Sequence, residues 1–224
     1  MHKPLSRLTH ERVSVNNFVA TINDQVVGIL NERMFEKGIL RIWPIGGGAR
    51  IVDRKILLKH GAKDIERNDA RFTIDKRQSK EFIDLLVRPN KDIVETDIRR
   101  ELFEELSNVV YDTEEEGLYP LLHASRKMTP LISPQELEDG LLYTAYLDTL
   151  AYRRPSQHHA PMMTNYFWYL HEVYVTTKVF SKLIKSGHMV IITPELLDSG
   201  HAHLQPLLPS MQAIFERVQA KQVI

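Results

Sequence analysis

The sequence predicts an α/β fold, because strand-like and helix-like segments are interspersed along the chain. Residues 13–22 and 25–30 are rich in β-branched side chains and are separated by Asn23-Asp24, which predicts a β-hairpin with a tight turn. Residues 166–177 form a long β-rich stretch that predicts a central strand. Residues 98–106 instead carry apolar side chains at helical spacing, which predicts an amphipathic helix.

The composition is that of an ordinary globular protein and excludes several classes of function. The chain has 224 residues, 43% of them hydrophobic, which is enough for one sizeable domain. Its 29 basic and 29 acidic residues balance, so we expect neither a nucleic-acid nor a membrane partner. The absence of cysteine rules out disulfides, thiolate catalysis and cysteine-based zinc sites. The start has no apolar signal segment and no apolar run approaches the ~20 residues that span a bilayer, so we expect a cytoplasmic protein.

Three glutamates on the predicted helix are the candidate functional residues. Glu101, Glu104 and Glu105 are spaced i, i+3 and i+4, so they project from one narrow face. The adjoining face is apolar and would dock on a core through Ile98, Leu102, Leu106 and Val109. Carboxylates at this spacing repel by roughly 0.2–0.5 kcal/mol per pair, and no basic residue lies four positions after any of them. A divalent cation such as Mg²⁺ would relieve that repulsion, and a solvated acidic face is the alternative.

The six residues from Arg100 to Glu105, Arg-Glu-Leu-Phe-Glu-Glu, resemble the core of the Nudix box, R-E-U-x-E-E, in which U is a bulky aliphatic residue. In Nudix hydrolases the three glutamates hold a catalytic divalent metal, and the arginine orients them. The flanks of the box differ, since Asp92 stands where the family has Glu, Leu86 where it has Gly, and Leu106-Ser107-Asn108 where it has x-G-U. These departures indicate either that the loops flanking the helix are rebuilt or that the fold survives with altered activity.

The order of the other elements also resembles that family. Residues 39–45 predict a strand ended by Pro44 and followed by Gly46-Gly47-Gly48, and residues 189–192 predict a strand followed by a short helix that starts at Thr193-Pro194. An amphipathic helix follows at 211–220. The resemblance implies a mixed, curled β-sheet between helices, in one Nudix-like domain over residues 1–224. We interpret residues 50–91, which separate the glycines from the box, as an insertion with a strand at 71–75 and an apolar run of undefined type at 82–87.

Further patterns concern local structure. Asp92 is placed to be the N-cap of the glutamate-bearing helix, with Glu95 three residues on. Arg100 can form an ion pair with Glu104 one helical turn on. Another helix is predicted to start at Ser133-Pro134, because Glu136 follows.

Residues 141–147 predict a strand, and residues 151–164 predict a polar loop. Arg153 and Arg154 lie in that loop and could bind phosphate, although arginine pairs on a protein surface are common.

The resemblance implies a metal-dependent hydrolase that cleaves a phosphoanhydride (pyrophosphate) bond in a nucleoside diphosphate linked to another group, with Mg²⁺ or Mn²⁺ as cofactor. The expected metal ligands are Glu101, Glu104 and Glu105, and the expected catalytic residues are Arg100, Glu104 and Glu105. The expected substrate-binding residues are Gly46, Gly47, Gly48 and Arg50. The partner would be a small-molecule nucleotide, and the resemblance also implies a homodimer.

Two alternatives stay open on the sequence. The loss of both glycines of the box favours a non-catalytic Nudix-like module that binds a nucleotide as a sensor or regulatory domain. A coincidental motif in an α+β protein of another family is the second alternative. The sequence does not define the substrate, and we expect selectivity to reside in the segment after Gly48 and in the loop after Ala151.

Overall fold

A computed structural model describes residues 9–30, 42–107, 132–156, 162–186, 189–198 and 209–222. Within these ranges the chain forms an α/β structure with an open, mixed sheet of eight strands and seven α-helices. The predicted fold class is therefore confirmed, and the Nudix-type arrangement of sheet and helices stays a prediction.

The strands and helices have the following bounds. The strands are β1 (His10–Ile22), β2 (Gln25–Leu30), β3 (Ile42–Trp43), β4 (Ile45–Gly48), β5 (Arg71–Asp75), β6 (Leu141–Pro155), β7 (Met163–Val175) and β8 (Met189–Ile191). The α-helices are α1 (Arg54–Lys59), α2 (Ser79–Leu86), α3 (Arg99–Ser107), α4 (Pro134–Gly140), α5 (Thr177–Lys185), α6 (Pro194–Asp198) and α7 (Pro209–Gln222). Hydrogen bonds order the strands β3-β2-β1-β7-β6, with β4 and β5 also paired to β1, and β8 to β2. In the described part of the chain, no helix has the length and apolar character needed to cross a bilayer.

The predicted hairpin of β1 and β2 is confirmed. The strands are antiparallel, with Thr21 opposite Val26, and Asn23 and Asp24 form the turn at φ +48° and +66°. Two successive left-handed residues are the geometry of a type I′ turn, which matches the twist of the strands. The Asn23 amide also bonds to Val175, accepting from its N–H (2.9 Å) and donating to its carbonyl (3.0 Å). Asn23 therefore fixes both the turn and its attachment to β7.

The described residues belong to two compact units, each with its own apolar core. The first unit takes its residues from Met1–Phe18, Gly46–Asp97 and Tyr146–His171. Strand β5 pairs with the first half of β1 in this unit, with His10 opposite Asp75 and Ser14 opposite Arg71. The buried core combines residues of β1 and β7 with many from the segment interpreted as an insertion: Val13, Val15, Ala49, Leu57, Ala62, Ile65, Ala70, Phe72, Ile74, Phe82, Leu86, Ile93, Val94, Phe167 and Tyr169.

The second unit takes its residues from Val19–Ile45, Ile98–Ala145 and Glu172–Ile224. Strand β2 pairs here with β8, placing Val27 opposite Ile191. Helices α3, α4 and α5 bury apolar side chains in this core, which consists of Val19, Ile22, Val27, Ile45, Ile98, Leu102, Phe103, Leu106, Ile132, Leu137, Val173, Val175, Val179, Leu183 and Met189.

Most predicted elements are confirmed in the described residues, and four predictions are wrong at their boundaries. The strand expected to end at Pro44 is followed directly by a second strand, and the three glycines lie in this strand, β4. Pro44 lies where the chain changes its pairing partner, since β3 pairs with β2 and β4 pairs with β1, and the hydrogen-bond donor that proline lacks is not needed at such a junction. Residues 39–41 lie outside the described part. The polar loop expected at 151–164 is wrong at both ends, because β6 continues to Pro155 and β7 begins at Met163, while residues 157–161 lie outside the described part.

The other two errors concern helix starts. Asp92 does not cap the glutamate-bearing helix, because that helix begins only at Arg99. The Asp92 N–H instead donates to the Asn90 side chain (3.2 Å), in a turn several residues before the helix. The central strand was expected to run through Thr177, because β-branched residues continue to that position, but Thr177 is the first residue of helix α5. Thr176 ends that strand, since its side chain accepts from the Val179 N–H and so caps α5.

Candidate functional site

Helix α3 carries the three candidate glutamates and is anchored in the second unit. Its first hydrogen bond joins the Leu102 N–H to the Ile98 carbonyl (2.9 Å), and the Leu106 carbonyl near its end accepts from the Ile132 N–H (3.2 Å). Ile98, Leu102 and Leu106 are fully buried, so the predicted apolar stripe is confirmed. Val109, its expected fourth member, lies outside the described residues. The packed stripe fixes the rotation of α3 and thereby the direction of its acidic edge.

Arg100 holds two of the three glutamates. Its Nη2 lies 2.6 Å from Glu101 Oε1, and its Nη1 lies 3.0 Å from Glu104 Oε2. The Arg100–Glu104 pair confirms the prediction from helical spacing. The pair with Glu101 was missed, because adjacent residues on a helix do not normally face each other. The long arginine side chain reaches back to its neighbour, so one guanidinium fork binds both carboxylates.

Glu101 is a buried carboxylate with an unusual proton affinity. Only 4% of the residue is exposed, and burial raises its pKa to about 8. The Arg100 charge acts in the opposite direction, while Glu104 and Glu105 raise the pKa further. Burial wins because removing a carboxylate from water penalises its charged form more than one partly exposed cation compensates. Glu101 therefore exchanges its proton close to neutral pH.

The other two glutamates are more accessible. The Glu104 side chain is 29% exposed, and Glu105 is exposed. Both lie near enough to Glu101 to act on it electrostatically. Among the described residues, no group of three or more His, Asp or Glu is placed to hold a metal ion. All three side chains offer carboxylate oxygens, which are the donors that a hard divalent cation takes. In the structure, however, Glu101 and Glu104 are directed toward Arg100.

The four residues expected to bind substrate lie in the first unit. Gly46 has φ +138°, and a Cβ there would clash with the Asn17 carbonyl oxygen, so the close approach of two strands already requires glycine. Gly47 and Gly48 continue β4. The Arg50 backbone bonds to Glu95, donating to its side chain (3.4 Å) and accepting from its N–H (2.7 Å). These contacts give structural roles to Gly46 and to the Arg50 backbone, and substrate binding by the four residues stays a prediction.

A buried histidine in the first unit was not found by sequence reasoning. His171 is 2% exposed on β7, and its Nε2 lies 3.1 Å from Asn17 Oδ1. The Asn17 amide nitrogen donates to the Glu95 carbonyl (2.9 Å), so its oxygen must accept and His171 Nε2 must carry the proton. Burial lowers the pKa of His171 to about 4, against the attraction of Asp97. His171 is therefore neutral at physiological pH, and only its position within a β-rich run could have indicated burial.

The two arginines expected to share a phosphate-binding role lie on β6 in different environments. Arg153 Nη2 lies 2.5 Å from the buried carboxylate of Glu11, which also accepts from Asn165 (2.9 Å) and Ser79 (3.0 Å). These donors hold the pKa of Glu11 below its usual value despite burial. Arg153 therefore has a structural partner.

Arg154 is packed against aromatic rings. Its guanidinium carbon lies 4.7 Å from the ring centre of Tyr166 and 5.5 Å from that of Tyr152. The two tyrosines stack with centroids 5.0 Å apart, and Tyr152 meets Trp168 edge-on at 4.8 Å. No acidic side chain in the described part of the chain pairs with Arg154.

Three buried polar atoms in this neighbourhood have no hydrogen-bond partner among the residues that the structure describes: Tyr152 Oη, Arg154 Nε and Thr164 Oγ1. A buried polar atom left unpaired costs about 1–3 kcal/mol, and more when the group is charged. A cation–π contact stabilises by about 0.5–2 kcal/mol, which does not offset the cost of three unpaired polar atoms. The stacking of Arg154 therefore does not by itself account for this cluster.

Comparisons of the chain with protein-family models, with curated proteins and with solved structures found no match. The fold and the site define the chain as an α/β protein in which an arginine and a buried glutamate share one helix with two further carboxylates.

Proposed function

We propose that this protein is a metal-dependent hydrolase that cleaves a phosphoanhydride bond in a nucleoside diphosphate linked to another group, as its resemblance to Nudix hydrolases implies. The observation that carries the proposal is the burial of Glu101 beside Glu104 and Glu105, with its pKa raised to about 8. A buried carboxylate next to like charges costs stability, and titratable groups perturbed in this way are concentrated at functional sites.

Glu101, Glu104 and Glu105 would hold Mg²⁺ or Mn²⁺ in this proposal. Their oxygen-only donor set fits either ion. A bound ion would neutralise the pyrophosphate oxygens and lower the pKa of an attacking water. In the ion-free chain Arg100 supplies positive charge to Glu101 and Glu104, at 2.6 and 3.0 Å.

The chain's own residues would contribute orientation and proton release. The two arms of the Arg100 guanidinium fix the Glu101 and Glu104 carboxylates relative to each other, which is a positioning role. Glu101, with its raised pKa, would release its proton on binding the ion, because a carboxylate ligand must be deprotonated. Glu104 and Glu105, which are more exposed, are the carboxylates that a ligand from solvent can reach.

One observation favours a second candidate, a non-catalytic module that binds a nucleotide. Arg100 pairs with Glu101 and Glu104, and the described residues contain no ready group of three metal ligands. The carboxylates are therefore partly balanced without a metal ion, so their repulsion alone does not require one.

Hydrolysis of a panel of nucleoside diphosphate derivatives with Mg²⁺ or Mn²⁺ tests the first candidate. We expect Glu104→Gln and Glu105→Gln to abolish metal-dependent release of nucleotide, because each removes a charged ligand oxygen. Glu138→Gln is the matched control, since Glu138 is an exposed glutamate on helix α4 of the same unit. Absence of cleavage across the panel, together with nucleotide binding that ignores both metal and these substitutions, would favour the binding module.

A further inference from the structure

We infer that one face of the β6–β7 hairpin in the first unit binds the phosphate group of a small molecule through Tyr152, Arg154 and Thr164. This site is independent of the hydrolase proposed above, because it uses no residue of helix α3.

The three side chains lie on the same face of two neighbouring strands. Tyr152 and Arg154 are two residues apart on β6 and therefore project in the same direction. The Tyr152 ring stacks on Tyr166 of β7 with centroids 5.0 Å apart, so Tyr166 shares this face. Thr164 lies two residues before Tyr166 on β7 and therefore also projects from it.

The pairing of the strands brings Arg154 and Thr164 close together. The Ser156 N–H donates to the Met162 carbonyl (2.8 Å) where the two strands meet the connecting segment. Counting back from this bond along an antiparallel hairpin places Arg154 across from Thr164, and Tyr152 across from Tyr166. The pairing thus groups the three orphaned polar atoms at one end of the hairpin.

These side chains offer hydrogen-bond donors that the described part of the chain does not use. Arg154 Nε, the Tyr152 hydroxyl and the Thr164 hydroxyl are buried with no partner in the described ranges, and Thr164 is only 1% exposed. The neighbouring Arg153 differs from Arg154, because the guanidinium of Arg153 forms an ion pair with the carboxylate of Glu11. The cluster therefore presents one positive charge and two hydroxyl groups without an anion.

A phosphate group matches this arrangement better than a carboxylate does. It is tetrahedral and offers at least three acceptor oxygens to donors on three side chains, whereas a carboxylate offers two oxygens in one plane. The guanidinium stacks on Tyr166 through its face, at 4.7 Å, and still donates from its edge. Tyr152, Arg154 and Tyr166 are all partly exposed, so the cluster reaches the protein surface.

Titration calorimetry of the full chain with inorganic phosphate and pyrophosphate, in chloride buffer without divalent metal, tests this site. We expect binding that Arg154→Gln weakens by about tenfold or more, because one charged hydrogen-bonding partner is lost. Arg77→Gln is the matched control, since it removes the same charge from an exposed position of the same unit, and it should leave the affinity within about twofold. Absence of binding at millimolar concentration, or equal binding by the Arg154→Gln protein, would overturn the inference.

Thr164→Val separates a ligand site from a merely structural cluster. This near-isosteric change removes only the unpaired hydroxyl, so we expect a melting temperature that is unchanged or higher, together with phosphate affinity weakened several-fold. Circular dichroism checks that the variant folds. Affinity equal to that of the wild type would contradict a role for Thr164, and equal binding of succinate would contradict the assignment to phosphate.

Discussion

Arg100 explains how three glutamates can share one edge of a helix. Spacing alone predicts repulsion between Glu101, Glu104 and Glu105, and the structure places a guanidinium between the first two. The Arg100 side chain is 12% exposed and that of Glu101 is 5% exposed, so this pair has little screening from solvent. We therefore expect the arginine of the motif to contribute to the stability of the second unit.

At pH 9, where Glu101 is mostly ionised, replacing Arg100 by Gln should destabilise the protein by about 3–5 kcal/mol, because a buried carboxylate then loses its partner. The loss should be larger at pH 9 than at pH 6, since Glu101 with its pKa near 8 is mostly protonated at the lower pH. Urea unfolding at the two pH values measures both effects. Arg77→Gln is the control: the Arg77 side chain is 90% exposed and its ion pair with Asp75 is screened by solvent, so its loss should have little effect on stability. Equal destabilisation by the two substitutions would contradict this role of Arg100.

At the scale of single elements, helix α4 shows local sequence determining local structure. The Ser133 side chain accepts from the Glu136 N–H (3.2 Å), and the Glu136 carboxylate returns to the Ser133 N–H (3.4 Å), which completes a capping box. Ser133→Ala should lower the free energy of unfolding by about 1 kcal/mol, because the first turn loses its acceptor. Ser133→Thr keeps a hydroxyl and should restore most of this loss in the same denaturation experiment. Full stability of the alanine variant would show that the cap contributes nothing.

Strand β4 provides a test of the glycine run. Gly46→Ala should destabilise the protein severely, because φ is +138° and the new Cβ would clash with the backbone of Asn17. At Gly48 the nearest atom to a new Cβ is the end of the flexible Arg71 side chain, at 3.2 Å, so Gly48→Ala should fold. Thermal melting separates the two variants. If Gly48→Ala folds normally but loses nucleotide hydrolysis, the glycine binds substrate; unchanged hydrolysis would contradict that expected role.

At the scale of the whole molecule, the sequence predicts elements better than it predicts the partners of buried polar groups. Hydrophobic periodicity and turn chemistry are local, so the hairpin at Asn23, the acidic helix and the cap at Ser133 could all be predicted. The partners of Glu11 and His171 are over a hundred residues away in sequence, at Arg153 and Asn17, and no local pattern reports such pairings. The contribution of residues 50–91 to the first core was also not predicted, because burial depends on which strands meet in space.

Two buried titratable groups make the stability of the two units depend on pH in opposite directions. The folded pKa of His171, about 4, is below its unfolded value near 6.5, so the first unit loses stability as pH falls from 6.5 to 4. The folded pKa of Glu101, about 8, is above its unfolded value near 4.5, so its contribution to the second unit is complete below pH 4.5 and is lost as pH rises to 8. At about 1.36 kcal/mol per pKa unit, the full effects are of the order of 3 and 5 kcal/mol. His171 and Glu101 therefore limit stability on the acid and alkaline sides respectively.

Two substitutions separate these limits. In metal-free buffer, His171→Gln should reduce the loss of stability between pH 6.5 and 4, because the amide can still donate to Asn17 but cannot be protonated in this range. The lowered pKa of Glu11 in the same unit leaves part of the acid sensitivity in place. Glu101→Gln should raise the melting temperature at pH 9 and leave it nearly unchanged at pH 4.5, since a neutral amide replaces the buried charge. Melting curves across pH 4 to 9 measure both changes, and a Glu101→Gln protein that is no more stable than the wild type at pH 9 would show that Arg100 fully compensates the buried carboxylate.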